Sequence, residues 1–379
     1  MTKPAPDFPH ILQTFDLAGH VSGAETFGNG HINDTYLVRI AHADRRRRYV
    51  LQRINADVFP DVEAIMRNLV RIAKHVAERS ADDDGLLDRQ VQFAPIPTRD
   101  GAAFCRDERG DAWRLVPFIY GAHSIDTVSA PAEAAAAGSA FGRFLTLFAD
   151  LDSRELAETI PGFHDTPARY RQFEDAVEND AAGRAADCAR EIDMARSFAG
   201  RCATLERLRE AGELPLRVAH NDAKINNVLF DDESNRPACV VDLDTVMPGT
   251  PLHDFGDLVR TATAPIDEDA RRANGIDIDI DCYEALAAGY LAEAGALLNG
   301  AEIAHLPDAG LIITIETGLR FLADHLDGDR YFRTTRPGQN LDRCRTQFTL
   351  ASSIELHLDR LHELTEAAHA DTLRGGRNA

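Results

Sequence analysis

One short segment in the second half of the chain holds polar side chains at a spacing that suits phosphoryl transfer. Residues 220–227 read HNDAKINN, and residues 242–244, a little further along, read DLD. Moving a phosphoryl group requires a carboxylate that orients and deprotonates the attacking hydroxyl, and oxygen ligands for the Mg²⁺ that bridges the nucleotide phosphates. The two segments contain both kinds of group, together with a lysine. They predict a kinase-type active site.

The residues between these two segments predict a β-hairpin that would bring them together. Residues 228–230 (VLF) and 238–241 (ACVV) are apolar, and the turn-forming residues 231–237 separate them. In an antiparallel hairpin, the residue before the first strand lies beside the residue after the second. We therefore expect the polar side chains on both sides of the hairpin to surround one metal–phosphate centre.

The side-chain chemistry assigns a role to each polar group. Asp222 is the expected base, which accepts the proton of the substrate hydroxyl. Asn227 and Asp242 offer oxygen atoms to Mg²⁺, and Lys224 is placed to meet the transferring phosphate as a point charge. Asp244 is either a further metal ligand or a residue that binds substrate hydroxyls. The simpler alternative, in which these residues only form polar turns, does not explain why the two segments occur together.

The composition limits the class of protein. With 379 residues, 44 % of them hydrophobic, the chain is long enough for one large or two modest domains. Its net charge of −21 argues against nucleic acid as a partner, because a phosphate backbone needs a basic surface. No apolar run approaches the ~20 residues of a membrane span. The six cysteines form no CxxC pair, which favours reduced thiols in a cytoplasmic protein, and nothing sets an oligomeric state.

The first part of the chain predicts strands around one helix. Residues 35–40 and 49–54 are rich in β-branched and aromatic residues, which predicts two strands. A polar turn is expected between them, over residues 41–48. Residues 62–76 then have apolar side chains at three- and four-residue spacing, which predicts a helix.

The rest of the chain is mostly helical in pattern. Ala-rich stretches with helical spacing cover residues 132–149, 191–210, 283–298, 310–326 and 340–368. We therefore predict an α+β chain of two lobes. A β-rich N-lobe over residues 1–118 would bind the nucleotide, and a mainly helical C-lobe over residues 119–379 would be catalytic and bind the substrate.

The catalytic segment resembles that of a known superfamily. Residues 220–227 and 242–244 are similar to the catalytic and metal loops of aminoglycoside phosphotransferases and choline kinases, and residues 249–257 (GTPLHDFGD) are similar to the tail that follows them. The resemblance implies a bilobal, protein-kinase-like fold with ATP and Mg²⁺ as cofactors. It also implies that Asp254, in the tail, braces the catalytic loop.

A glycine-containing segment ahead of the first predicted strand fits the same superfamily. Residues 27–36 read FGNGHINDTY, at the place where such kinases carry the loop that covers the phosphates. Glycines there let backbone N–H groups approach the phosphates closely. The resemblance thus implies that Gly28, Gly30 and Asn33 bind the nucleotide. A plain hairpin turn is the alternative.

Two further positions of the first part are expected to contact the nucleotide. Protein kinases place a lysine on the third strand to hold the α- and β-phosphates. This chain has Gln52 there, with Arg53 beside it pointing to the other face. Gln52 donates hydrogen bonds but carries no charge. Pro117, Phe118 and Ile119 would form the hinge, where backbone groups meet the adenine and apolar side chains flank it.

A closer resemblance extends over most of the chain, from about residue 12 to about residue 350. Segments such as 160–167 (IPGFHDTP), 242–249 (DLDTVMPG) and 318–332 (GLRFLADHLDGDRYF) are similar to N-acetylhexosamine 1-kinases. Those enzymes phosphorylate the anomeric hydroxyl of N-acetylglucosamine or N-acetylgalactosamine with ATP and Mg²⁺. The resemblance implies such a sugar as the substrate.

A neutral sugar requires hydrogen bonds directed at its hydroxyls, and several positions are candidates to make them. Asp222 would take the C1 hydroxyl, while Arg320 and Tyr331 would donate to ring hydroxyls or to the N-acetyl carbonyl. His31 and Asp244 would add further contacts. The structural alternatives are that Arg320 pairs with a nearby acid, that Tyr331 packs in the core, and that His31 caps its turn.

The segment before residue 167 predicts only a helix start. Thr166 has the residue type of an N-cap, and Pro167 that of a first helical position. His164 and Asp165, directly before them, therefore stay outside the candidate site.

Two other classes of function stay open. A kinase of another small alcohol, such as choline, homoserine or an aminoglycoside, would use the same catalytic segment, but a cationic substrate calls for an acidic or aromatic cage. A nucleotide-binding pseudokinase that acts as a scaffold would explain Gln52. Against the scaffold stands Asp222, because a protein that binds without transferring needs no base.

Overall fold

The strands and the helices of this chain are concentrated in different units. In the computed structural model, one unit comprises Met1–Gly121 with Leu156–Ile160, and the other comprises Ala122–Glu155 with Pro161–Ala379. The structure describes residues 6–28, 32–80, 94–266, 268–271 and 275–375. The largest sheet lies in the first unit and most helices lie in the second, which confirms the α+β class.

The first unit is built on an antiparallel sheet. Its strands are β1 (His20–Thr26), β2 (Asp34–His42), β3 (Arg45–Ile54), β4 (Cys105–Arg106) and β5 (Ala112–Pro117), and its helices are α1 (Phe8–Gln13) and α2 (Val62–Ser80). The five strands pair in the order β1-β2-β3-β5-β4. One face of the sheet forms a buried core with residues of α1, including Ile11, Leu51 and Trp113. Gln52 lies on the other face, opposite Thr35 of β2 and Arg114 of β5.

The hairpin of β2 and β3 is longer than predicted. The strands stay paired as far as His42 and Arg45, so only Ala43 and Asp44 form the turn. The predicted polar turn over residues 41–48 is therefore wrong in extent. Backbone hydrogen bonds continue to the tip of a hairpin whatever the side chains are, and charged side chains are common on an exposed strand.

The helix predicted from the spacing of residues 62–76 is confirmed by α2. Its Val62, Ile65, Ile72 and Val76 are all buried. The periodicity works here because the apolar side chains at three- and four-residue spacing share one face of a helix.

The second unit contains the remaining helices and two small sheets. Its helices are α3 (Pro131–Leu147), α4 (Thr166–Asn179), α5 (Ala189–Ser197), α6 (Thr204–Glu210), α7 (Pro251–Ala262), α8 (Ile280–Ala294), α9 (Gly300–Ala304), α10 (Leu306–Leu326) and α11 (Gln339–Gly375). One sheet pairs β6 (Ala122–Ser124), β8 (Val228–Asp231) and β9 (Pro237–Val240), and the other pairs β7 (Arg217–Ala219) with β10 (Met247–Gly249). In the described part of the chain, no helix is long and apolar enough to cross a membrane.

The single helix predicted over residues 191–210 is wrong. α5 ends at Ser197 and α6 begins at Thr204, with hydrogen-bonded turns between them. Gly200 lies in this interruption. Glycine is a poor helix former because it loses more backbone entropy than other residues on ordering.

Close contacts between helix backbones position the elements that carry the candidate site. A Cβ atom on Gly256 of α7 would lie 2.5 Å from the carbonyl oxygen of Ala309 in α10. A Cβ atom on Gly138 of α3 would lie 2.3 Å from the carbonyl oxygen of Leu286 in α8. Glycine at these two positions therefore allows the helices to approach. The contact between α7 and α10 bears on the candidate site, because Asp254 of α7 accepts the N–H groups of residues 220 and 221.

Candidate active site

The predicted hairpin is present and brings the two catalytic segments together. β8 and β9 are antiparallel, with Val228 opposite Val240. One step beyond this pair, the N–H group of Val241 donates to the carbonyl oxygen of Asn227 at 2.9 Å. Asp242 follows directly, with an exposed side chain and a left-handed backbone at φ 63°. Asn227 and Asp242 are thus held at the same end of the hairpin.

The catalytic loop, residues 220–227, is braced by α7. The N–H groups of His220 and Asn221 donate to the two carboxylate oxygens of Asp254, at 2.9 and 2.7 Å. Asn221 has a left-handed backbone at φ 61°. Its side-chain amide donates to two backbone carbonyl oxygens at 3.1 Å. The bracing contacts expected of Asp254 are therefore present.

His220 links the catalytic loop to the end of the hairpin. Its Nε2 atom lies 3.0 Å from the carbonyl oxygen of Val241, and its Nδ1 atom accepts the N–H group of Asp222 at 3.3 Å. These partners assign a neutral ring with its proton on Nε2. The ring is fully buried and packs edge-on against Phe141. His220 thus holds the backbone N–H group of Asp222, the expected base.

Asp222 and Lys224 face each other within the loop. The Lys224 Nζ atom lies 3.1 Å from Asp222 Oδ2, and these side chains are 31 % and 26 % exposed. The Asn227 Nδ2 atom donates to the Asp222 carbonyl oxygen at 2.7 Å and to Oδ2 at 3.2 Å. One carboxylate oxygen of Asp222 therefore meets both a cation and an amide.

Nearby charges determine the ionisation of both groups. Burial raises the pKa of Asp222, but nearby positive groups, Lys224 foremost, outweigh it and hold that pKa below its ordinary value. Burial lowers the pKa of Lys224, but the carboxylates of Asp222 and Asp257 outweigh it and hold that pKa above its ordinary value. At neutral pH, Asp222 is therefore a carboxylate and Lys224 an ammonium. A general base and a phosphate-binding cation need these states.

The donor groups fit a magnesium ion that also binds phosphate. Because its Nδ2 atom is used by Asp222, Asn227 offers its Oδ1 atom to a cation. Asp242 adds an exposed carboxylate and Asp244 a buried one. Across the described ranges, no three His, Cys, Asp or Glu side chains are grouped closely enough to hold a metal by themselves. The set suits Mg²⁺, which usually keeps water ligands and combines one or two carboxylates with substrate phosphates.

Arg320 and Tyr331 are brought together at the end of α10. The Arg320 guanidinium lies over the rings of Phe163, Tyr331 and Phe332, at 5.0, 5.7 and 5.5 Å from their centroids. The Tyr331 side chain is exposed. Asp324, the acid four residues after Arg320, accepts the N–H groups of the loop that carries Tyr331, at 2.7 Å for that residue. Arg320 therefore packs on aromatic rings, and Asp324 orders the loop.

The cap predicted for α4 is wrong by one residue. Asp165 is the N-cap, because its Oδ1 atom accepts the N–H group of Ala168 at 2.8 Å. The hydroxyl of Thr166 is used elsewhere, since it donates to Glu316 Oε2 at 2.6 Å. His164, the residue before this cap, lies against the catalytic loop.

His164 and Glu316 were both missed as neighbours of the expected base. His164 Nε2 lies 2.9 Å from the carbonyl oxygen of Asn221, and its Nδ1 lies 2.8 Å from Glu316 Oε1. One signal was available in the sequence. Residues 311–319 (LIITIETGL) are otherwise apolar or small, so an acid at position 316 must be buried beside a partner.

Gln52 lies beside Arg114, a cation that is not among the candidate residues predicted from the sequence. Its Nε2 atom donates to Thr35 Oγ1 at 3.2 Å, and its Oε1 atom accepts from Nε of Arg114 at 2.9 Å. Arg114 is buried and lies opposite Gln52 on β5. Arg53 is on the other face, as predicted, where it pairs with Asp34 and Asp111. Arg114 thus supplies a positive charge on the Gln52 side of the sheet.

The glycine-containing segment is described in part. Gly28 has a left-handed backbone at φ 76°, which favours glycine. Asn33 Oδ1 accepts the N–H group of Asn55 at 3.0 Å, so this side chain orders the end of β3. Gly30 and His31 lie outside the described residues.

The predicted hinge contains an aromatic cluster. Pro117 is the last residue of β5, and Phe118 and Ile119 follow it, both partly exposed. The Phe118 ring meets Phe27 edge-on at 5.8 Å, and the Arg48 guanidinium lies 4.0 Å above it. Phe27 directly precedes Gly28. The structure therefore brings the hinge and the start of the glycine segment together within the first unit.

Comparison with known proteins identifies the family. A model of the phosphotransferase enzyme family (APH) matches residues 23–296. An aminoglycoside phosphotransferase from Alicyclobacillus acidocaldarius superposes with a TM-score of 0.62 at 17 % identity, over 96 % of this chain and 98 % of that one. Spectinomycin phosphotransferase APH(9)-Ia, in complex with ADP and spectinomycin, gives 0.59 at 11 %, over 93 % and 99 %. Choline kinase from Cryptosporidium parvum gives 0.51 at 14 %, over 90 % of each chain.

At these identities the solved structures establish the fold, which is the kinase-like α+β fold predicted from the sequence. The family model spans more than half of the chain, including the catalytic loop, the hairpin and all of α8. The chain belongs to the phosphotransferase enzyme family.

Proposed function

We propose that the protein transfers the γ-phosphoryl group of ATP to the anomeric C1 hydroxyl of an N-acetylhexosamine. The observation that carries the transfer step is the contact between Lys224 and Asp222 in a loop held by Asn227. The choice of acceptor has two supports: the resemblance to N-acetylhexosamine 1-kinases, and the charge around Arg320.

Asp222 is the proposed base. It would accept the proton of the C1 hydroxyl while that oxygen bonds to the γ-phosphorus, and the bond from the γ-phosphorus to the β–γ bridging oxygen would break, so that ADP leaves. Its carboxylate is ionised before the reaction, because nearby positive groups, Lys224 foremost, lower its pKa against the effect of burial. The two bonds from Asn227 keep the carboxylate in one orientation.

Lys224 is proposed to bind the transferring phosphoryl group. In the structure its ammonium group is neutralised by Asp222, 3.1 Å away. Phosphate oxygens would compete with Asp222 for this ammonium group. As the contact between Lys224 and Asp222 weakens, the pKa of Asp222 would rise and Asp222 would become a stronger base. The residues proposed to hold Mg²⁺ are Asn227, Asp242 and Asp244, and the ion would neutralise charge on the β- and γ-phosphate oxygens.

The surroundings of Arg320 favour a neutral acceptor over an amine. Arg169 donates to the carbonyl oxygen of Phe163 at 2.9 Å and Arg320 lies over the ring of the same residue, so two guanidinium groups flank Phe163. An acceptor with its own positive charge would be repelled by such a pair. A neutral sugar would instead accept hydrogen bonds from Arg320 and from the exposed Tyr331. This argument stands against choline and aminoglycosides, on which structurally similar proteins are named to act.

The nucleotide is proposed to contact residues of the first unit. Gly28, Gly30 and Asn33 would cover the phosphates, with backbone N–H groups as donors. Gln52 would donate to the phosphates, and Arg114 behind it would supply the charge that a lysine gives in protein kinases. Pro117, Phe118 and Ile119 would meet the adenine.

A coupled assay of ADP release with Mg-ATP tests the proposal. The acceptor panel contains N-acetylglucosamine, N-acetylgalactosamine, glucose, choline, homoserine and kanamycin, and ³¹P–¹H NMR locates the phosphate on each product. Turnover of an N-acetylhexosamine with phosphate on C1 supports the proposal. Turnover only with amine-bearing alcohols would keep the kinase and remove the sugar. ATP binding without transfer to any acceptor would favour the scaffold.

A further inference from the structure

The His164 ring is held between two acceptors. Nδ1 lies 2.8 Å from Glu316 Oε1, and Nε2 lies 2.9 Å from the carbonyl oxygen of Asn221. A backbone carbonyl accepts but cannot donate, and an ionised carboxylate does the same. The second oxygen of Glu316 is also occupied, by the hydroxyl of Thr166 at 2.6 Å. The bonding pattern therefore fits a doubly protonated imidazolium beside a carboxylate.

This ion pair is buried. The side chains of His164 and Glu316 are 8 % and 1 % exposed. Burial lowers the pKa of His164, but Glu316 outweighs burial and raises it. Burial raises the pKa of Glu316, but His164 outweighs burial and lowers it to about 2. Removal of one partner would leave an uncompensated buried charge, which is why such pairs are costly to break.

The pair acts on the peptide group that precedes the expected base. The carbonyl of Asn221 and the N–H group of Asp222 belong to one planar peptide. Asn221 has the left-handed backbone (φ 61°), and Asp254 holds its N–H group at 2.7 Å. His164 holds its carbonyl from the other side. The strained residue before Asp222 is thus fixed at both of its backbone polar groups.

The same segment also contacts the residue proposed to bind the acceptor. Phe163, next to His164 in the chain, lies under the Arg320 guanidinium at 5.0 Å. Arg320 is four residues after Glu316, so both lie on one face of α10. Two adjacent residues, Phe163 and His164, therefore join one face of α10 to the catalytic loop.

We propose that His164, held by Glu316, is a positioning residue that fixes the Asn221–Asp222 peptide and thereby the direction of the Asp222 carboxylate. It touches no reacting atom and acts through the backbone. The inference rests on the proposed role of Asp222 as base, and it is independent of which hydroxyl is phosphorylated. The positioning role requires the hydrogen bond from His164 to the Asn221 carbonyl, and a buried ion pair alone would not provide it.

Two substitutions of His164 separate these requirements. An asparagine amide nitrogen reaches about as far as Nδ1, so His164→Asn keeps a donor for Glu316 and loses the bond to Asn221. A glutamine amide nitrogen reaches about as far as Nε2, so His164→Gln keeps a donor for Asn221. Thr166→Val is the control, because it removes a bond to Glu316 without changing the contact with the loop.

The kcat and KM values of the three variants are measured with the best acceptor, and their melting temperatures are recorded. We expect His164→Asn to lose kcat by about 10- to 100-fold, as for a displaced catalytic group, with both KM values within about threefold. His164→Gln is expected to recover most of that loss, and Thr166→Val to keep kcat within about twofold despite a lower melting temperature. A wild-type kcat in His164→Asn, or equal losses in both His164 variants, would overturn the proposal.

Glu316→Gln provides a second test if His164→Asn does not fold. The other titratable groups that act on His164 are Arg320 of α10, and His253 and Asp254 of α7. Without the Glu316 charge, His164 should lose its second proton at lower pH, and the neutral ring, with one N–H group, can no longer donate to both the Asn221 carbonyl and the side chain at position 316. We therefore expect the kcat of this variant to fall with rising pH at a lower pH than that of the wild type. Superimposable profiles would contradict the inference.

The proposed function and this inference fail in distinguishable ways. If Asp222→Asn turns over normally, the role of the base is wrong. If Asp222→Asn is inactive while His164→Asn matches the wild type, the positioning role alone is wrong. If no acceptor of the panel is phosphorylated, the slow release of ADP with water as acceptor is compared among the same variants, with the same expected order.

Discussion

The ammonium group of Lys224 lies 3.1 Å from Oδ2 of Asp222, the oxygen that also accepts from Asn227. A lysine two residues after the proposed base thus has two expected effects. It keeps the carboxylate ionised, because its charge offsets the effect of burial on the pKa. It also places a cation beside the proposed base, where we propose that it binds the transferring phosphoryl group.

Lys224→Met should change both the rate and its pH dependence. We expect kcat to fall by about 100-fold, the usual cost of removing one group that stabilises developing charge. Without the Lys224 charge, the pKa of Asp222 rises, so the base becomes protonated at higher pH and the acidic limb of the kcat/KM profile moves up in pH. A pH–rate profile measures this shift. Lys74→Met, on the exposed side of α2, is the control that should match the wild type. An acidic limb that does not move would separate Lys224 from the ionisation of Asp222.

Asp242→Asn should weaken the response to magnesium. The substitution keeps one oxygen at the end of the hairpin and removes the charge, so the Mg²⁺ concentration for half-maximal rate is expected to rise by at least about tenfold. A titration of Mg²⁺ at fixed ATP measures it. Asp232→Asn, in the exposed turn of the same hairpin, provides the matched control. If both variants reached half of their maximal rate at the same Mg²⁺ concentration, the metal-ligand role of Asp242 would be contradicted.

Arg320→Ala should act mainly on the acceptor. Loss of a charged hydrogen-bond donor to the sugar is expected to raise the acceptor KM by about tenfold or more, with kcat and the ATP KM within a few-fold. Arg196→Ala removes an exposed arginine of α5 and serves as the control. Initial rates over a range of acceptor concentrations decide the matter. An unaltered acceptor KM would return Arg320 to a packing role over its aromatic neighbours.

Gln52→Ala should act on the nucleotide. Gln52 donates to Thr35 and accepts from Arg114, so its loss removes a donor and leaves a buried guanidinium with one partner fewer. We expect the ATP KM to rise by about 3- to 10-fold while the acceptor KM is unchanged. Gln13→Ala, at the exposed end of α1, is the control. Equal ATP KM values in the two variants would show that the nucleotide is held without Gln52.

Local patterns were sufficient for the hairpin and for the helix over residues 62–76. Both depend on the order of apolar and turn-forming residues within a short window, and the structure contains both. The longer β2–β3 hairpin was missed because its arginines are polar but still pair through the backbone. The break between α5 and α6 lies at a glycine, which is a weak helix former. The prediction of one continuous helix gave more weight to the helical pattern on both sides of that glycine.

Contacts between distant segments could not be derived from the sequence. His164 and Glu316 are 152 residues apart, and only the packing of α10 beside the segment before α4 brings them together. Arg114 lies beside Gln52 because of the register of β3 with β5, which no short window contains. The catalytic loop was recognisable because its candidate functional residues are close in sequence. The groups that hold it come from other elements.

The most direct test of the central claim is the kcat of Asp222→Asn with an N-acetylhexosamine and saturating Mg-ATP, with nucleotide binding measured by calorimetry on the same sample. An amide keeps the size of the carboxylate and cannot accept the hydroxyl proton. We predict that transfer falls by at least about 100-fold, as for loss of a catalytic acid–base group, while the Kd for ATP stays within a few-fold of the wild type. Turnover near the wild-type rate would contradict the assignment of Asp222 as the base, and with it the proposed mechanism.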